Sequence, residues 1–88
     1  MEKEIIMESR MRMVFSENLR YLRKTRKQKI SQKALARYLS LPPKTIMNYE
    51  SGNASLSAYA VYRLADYYGY PMEVLLTKNL SQERRNER

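Results

Sequence analysis

The side chains with chemistry to offer in this 88-residue chain are cations, amides and hydroxyls, for it has neither histidine nor cysteine. Disulfides and the usual zinc sites are thereby excluded, and serine or cysteine triads lack their base. No paired-carboxylate constellation stands in for them, which leaves an enzyme as the least supported class and implies no cofactor or metal. The cations are unevenly spread. Arg10, Arg12, Arg20, Arg23, Lys24, Arg26, Lys27 and Lys29 stand against Glu17 alone, a net of +7 over residues 10–29. Residues 51–77 hold only Arg63 against Asp66 and Glu73, a net of −1. Within a total of +8, that asymmetry suits a face turned toward a polyanion. A solvated helix end beside a basic loop would look the same, and charge does not choose between DNA and RNA.

The elements that must position such residues centre on residues 30–52, I-S-Q-K-A-L-A-R-Y-L-S-L-P-P-K-T-I-M-N-Y-E-S-G. Ser31 suits an N-cap, because its hydroxyl can accept from an amide of the first helical turn. A short helix over 32–39 then puts Leu35, Ala36 and Leu39 on one face. Ser40 and Leu41 form the turn. Pro42 and Pro43 open a second helix over 43–51, since proline is tolerated at the first helical position. On that helix Ile46, Tyr49 and Glu50 share one face and Lys44, Met47, Asn48 and Ser51 the other. Gly52 supplies the left-handed residue that commonly follows a helix end. A plain helical hairpin would satisfy this pattern taken alone.

The ordered set of motifs goes further. S-Q-x-x-L-A-x-x-L-x-L followed by T-I-x-x-Y-E-x-G, with Asn18-Leu19-Arg20 before and Leu75-Leu76 after, resembles the Xre/Cro and lambda-repressor-like helix-turn-helix family. About two-thirds of the chain takes part in the resemblance. It implies an all-α, five-helix, lambda-repressor-like DNA-binding domain, here with an extended N-terminal helix. The expected organisation is an N-terminal helical extension over 1–12, the helix-turn-helix domain over 13–77 and a charged tail over 78–88.

Carried over position by position, the resemblance puts the base-reading places on Pro43, Lys44 and Asn48, with Thr45 and Met47 at the margin. Lysine can donate to guanine O6 and N7, asparagine can pair with adenine N6 and N7, and Met47 or Pro43 can touch a thymine methyl. Lys44 also suits a phosphate contact. Gln32, opening the first motif helix, is expected to anchor a phosphate and to brace the next helix. Ser31, Lys33, Lys24 and Lys27 are further phosphate candidates. The loop over 51–57 lacks the basic residues that the family often carries there, so Ser51 and Asn53 would have to serve. Glu50 is expected to pair with Arg23 rather than to touch DNA.

The remainder of the chain reads as follows. Met7, Met11, Val14, Phe15, Leu19 and Leu22 form a helical stripe. The stripe extends upstream of the resemblance, so either the first helix is long or residues 3–12 form an added element. Ile5, Ile6, Met7, Met11 and Met13 make an apolar surplus that suits either a dimer or a frayed, locally packed helix. Residues 24–30 are a basic connector. Ser57 caps the next helix, on which Ala60, Val61, Leu64, Ala65 and Tyr68 repeat, and Gly69 ends it. Pro71 opens a last short helix with Met72, Leu75 and Leu76 inward. Residues 78–88, charged and without apolar periodicity, read as a disordered tail that can retain some helix. Seven of the eight tyrosines lie from Tyr38 onward, away from most of the basic residues, which favours packing or a protein interface over base stacking. No apolar run is long enough for a membrane span and no signal peptide is evident, so a cytoplasmic protein is expected. The resemblance implies a sequence-specific regulator that binds double-stranded DNA as a homodimer. A toxin is a candidate protein partner if the chain is an antitoxin. The alternative is a protein-interaction module that keeps the fold.

Overall fold

A computed structural model describes residues 7–86, and they form α1 (Glu8–Thr25), α2 (Gln32–Tyr38), α3 (Thr45–Ser51), α4 (Ala58–Tyr68), α5 (Met72–Thr77) and α6 (Leu80–Asn86). The all-α class holds. The first helix runs unbroken from Glu8 through the resemblance, so Met11 belongs to a long α1; Ile5 and Ile6 lie outside the described residues. The buried face of α1 carries Val14, Phe15, Asn18, Leu19 and Leu22, while Met7 and Met13 stay exposed.

Each short helix is closed by local chemistry. The Ser31 hydroxyl accepts from the Ala34 amide at 3.1 Å, and the Ser57 hydroxyl accepts from the Ala60 amide at 3.0 Å. At the end of α2 the Leu41 amide returns to the Ala36 carbonyl at 2.8 Å and the Ser40 amide to the Arg37 carbonyl at 3.1 Å. This is the Schellman pattern, with Ser40 in the left-handed region at φ 57° where glycine is usual. Gly52 and Gly69 take the same role after α3 and α4 at φ 80° and 78°.

Two expectations need correction. The second motif helix begins at Thr45 rather than Pro43: the Thr45 amide donates to the Pro42 carbonyl at 3.0 Å, a turn that holds Pro43 and Lys44 outside the helix. Lys44, at φ −94° and ψ 1°, is the N-cap. Residues 80–86 are helical rather than disordered. Leu80 enters the core at 7 % exposure, and Asn79 Oδ1 accepts from the Gln82 amide at 3.1 Å, capping α6. Asn18 secures this end. Its Nδ2 donates to the Leu75 and Lys78 carbonyls at 2.8 and 2.7 Å, and its Oδ1 accepts from the Leu80 amide at 3.0 Å. A buried asparagine amide is thus satisfied on both sides, and the stretch between α5 and α6 is tied to α1.

The core is one cluster. Phe15, Leu19, Leu35, Ile46, Leu64 and Leu75 are its fully buried large apolar side chains, drawn from the first five helices. Phe15 and Tyr49 meet edge to face with centroids 5.8 Å apart, an arrangement that aromatic quadrupoles favour.

Candidate nucleic-acid interface

The two faces of α3 differ sharply. Ile46, Tyr49 and Glu50 are buried. Lys44 and Asn48 are exposed, Met47 is 46 % exposed, and Thr45 is half-buried. The Asn48 amide donates to the Lys44 carbonyl at 2.9 Å, so their side chains stand one turn apart on one outward face. Pro43, also exposed, lies beside them in the turn.

A polar network anchors the inner face. Glu50, 4 % exposed, accepts from Arg23 Nε on Oε2 at 2.8 Å and from Arg23 Nη2 on Oε1 at 2.9 Å. This two-pronged fork is the strong geometry for a guanidinium and a carboxylate, and the bond to Glu50 raises the Arg23 pKa above its ordinary value. Gln32 Nε2 donates to the same Oε1 at 2.8 Å. One carboxylate therefore joins α1, α2 and α3. The end of α3 is held as well: the Glu50 carbonyl accepts from Ser16 Oγ at 2.8 Å and from Arg20 Nη1. Tyr49 Oη accepts from the Ser57 amide at 3.1 Å, fastening the loop that follows. Neither Ser16 nor Arg20 is assigned this role from sequence; the only signals are a serine within an apolar stripe and an arginine in the flanking Asn18-Leu19-Arg20 motif.

The phosphate candidates divide. The Gln32 amide is turned inward onto Glu50, and Ser31 caps α2. Ser51 Oγ donates to the Asn48 carbonyl at 2.7 Å and accepts from the Asn53 backbone N–H at 3.4 Å, so the Ser51 hydroxyl is used locally while the Asn53 side chain stays exposed. Lys33 is exposed on α2, Lys24 in the last turn of α1, and Lys27 in the connector. No hydrogen bond or ion pair among the described residues ties Lys24 or Lys27 to α2 or α3. The structure therefore brings together Pro43, Lys44, Met47, Asn48 and the exposed side of α2.

Two further observations bear on chemistry. No group of histidine, cysteine or carboxylate side chains among the described residues could hold a metal ion. No helix among them is long and apolar enough to cross a membrane.

A family model described as helix-turn-helix matches residues 19–75, which takes in the last two turns of α1, all of α2, α3 and α4, and most of α5. No curated protein and no solved structure gives a significant match. With the matched span covering well over half of the chain, and with a buried brace under one face of α3 and exposed polar side chains on the other, the chain belongs to the Xre/lambda-repressor-like family of helix-turn-helix DNA-binding proteins.

Proposed function

We propose that this protein is a sequence-specific, double-stranded-DNA-binding transcriptional regulator of the phage-repressor or antitoxin type, acting as a cytoplasmic homodimer. The observation that carries the reading is the outward face of α3, where Lys44, Met47 and Asn48 are exposed on a helix whose opposite face is locked to α1 and α2. A base-reading helix must be rigid and must offer directional donors and acceptors, and this one has both. In the groove, α3 would present Lys44 and Asn48 to base edges while α2 crosses the backbone.

The dimer rests on unburied apolar surface. Met7 and Met13 remain 70 % and 60 % exposed. Beside the start of α1 lies an apolar groove of about 290 Å³ lined by Met11, Leu56, Val61, Met72 and Leu76. Two copies supply two half-sites, which a single copy cannot.

Selection of bound sites from random duplexes, followed by affinity measurement across a salt series, tests the function. A recovered consensus and a steep loss of affinity with salt are expected. Light scattering at micromolar concentration tests the dimer, and a monomer would count against it.

A second reading has its own observation. Tyr38, Tyr59, Tyr62 and Tyr67 are all exposed, and residues 51–57 carry no cation. A protein-interaction module, such as one that holds a toxin, would use that tyrosine surface. It predicts no consensus in the selection and no salt-dependent duplex binding.

A further inference from the structure

Two of the side chains near the reading helix that were expected to grip the DNA backbone are engaged elsewhere: Gln32 binds Glu50, and Ser51 bonds to the Asn48 carbonyl. The loop over 51–57 offers no cation. The exposed side of α2 supplies what they do not. An open cleft of about 320 Å³ lies between α2 and the turn into α3, lined by Lys33, Arg37, Ser40, Leu41 and Pro43. Lys33 and Arg37 are four positions apart and both exposed, so they stand one above the other on the same helix face. Neither is ion-paired among the described residues, and no acidic side chain lines the cleft. Ser40, held in the left-handed region at φ 57°, adds a hydroxyl at its edge. Leu41 and Pro43 give an apolar wall, which strengthens the attraction between the cations and an anion.

We infer that this cleft holds a phosphodiester of the DNA backbone beside the point where α3 enters the groove, with Arg37 and Lys33 as charged donors and Ser40 as a neutral one. The inference rests on the DNA-binding function proposed above and adds Arg37 and Ser40 to its interface. Pro43 borders both the cleft and the reading face, so an anion seated here lies next to the bases that the start of α3 meets. The planar guanidinium fork of Arg37 matches two oxygens of one phosphate. Such a contact fixes register and carries no sequence information of its own.

The test uses the full chain, the selected duplex and a random duplex, with affinity read by fluorescence anisotropy from about 50 to 300 mM salt. Arg37→Ala and Lys33→Ala are each expected to weaken both duplexes alike, by about five- to ten-fold near 100 mM salt, and to flatten the log–log salt slope by about 0.9. Arg37→Lys should recover part of the loss. The melting temperature should not move, since both side chains are exposed. A scan of the selected duplex with neutral methylphosphonates at single positions then identifies the contact. One neutralised phosphate should weaken the parent chain and leave Arg37→Ala unaffected, a coupling that a merely structural role would not produce. If the parent binds duplex DNA with a steep salt slope while both alanine variants match it, the cleft assignment is overturned and an acidic protein surface becomes the better occupant. If the parent fails to bind duplex DNA at all, the proposed function falls first and takes the inference with it.

Discussion

Glu50→Gln tests the brace under α3 with almost no change of shape. The carboxylate accepts two bonds from Arg23 and one from Gln32. A glutamine keeps one acceptor oxygen and presents an NH2 group in place of the other, so at least one of those donors meets a donor. The Arg23 charge also loses its counter-charge. Removing one partner of a buried pair costs about 3–5 kcal/mol. The Arg23 side chain is 20 % exposed, so water relieves part of the penalty and the lower end, about 3 kcal/mol, is expected. For a domain of this size about 4–8 °C is lost per kcal/mol, which gives a fall of about 12–24 °C in melting temperature. Thermal and urea unfolding followed by circular dichroism at neutral pH reads it. A loss under about 1 kcal/mol would place the pair among ordinary surface ion pairs and refute the reasoning. The double variant Arg23→Met with Glu50→Leu should recover much of the loss, because apolar replacement of both partners removes the stranded charge.

Three other outcomes follow from particular residues. The Tyr68 hydroxyl is buried with no hydrogen-bond partner among the described residues, and burial first, then Tyr67, pushes its pKa up to about 12. Because the unfolded tyrosine gives up its proton near pH ~10, the folded state binds more protons between there and pH 12. Stability should fall across that window by on the order of 2 kcal/mol. Tyr68→Phe should abolish that share of the alkaline loss and leave neutral-pH stability equal or higher in chemical unfolding. Leu80→Ala should lower stability by about 2–5 kcal/mol if α6 is part of the core, and an unchanged urea midpoint would return residues 80–86 to the status of a tail. Asn48→Ala should relax the preference at one position per half-site, worth roughly 1–3 kcal/mol, in a single-substitution library of the selected site; equal weakening of every sequence would mean a phosphate contact instead.

Much of the motif was legible because its signals are local. Ser31, Ser57, Gly52 and Gly69 act as caps within a few residues of their targets, and the 3.6-residue period sorts Ile46, Tyr49 and Glu50 from Lys44, Met47 and Asn48. The start of α3 was misread because proline is compatible with both a first helical turn and the turn before it. The Pro42 carbonyl and the Thr45 amide decide for the latter. The last helix was hidden because one leucine in a charged stretch has no periodicity, although Asn79 with Gln82 three residues on is a capping signature. What recruits that stretch is Asn18, 62 residues away from Leu80, and no local pattern reports such a contact. The cleft at Arg37 and Ser40 has no local signal either, since only the turn folding back sets Arg37 of α2 and the turn residue Ser40 beside Pro43.

The Asn18 staple also bears on how the chain assembles. Its partners are carbonyls and an amide 57 to 62 positions downstream, whereas α2 and α3 pack against each other across a turn of a few residues. Local contacts close early and distant ones late, because loop closure must precede any reward from the contact. During synthesis the α2–α3 pair can therefore pack while Asn18 still lacks every one of these partners. The polar stretch after α5 acts as the final latch on the first helix.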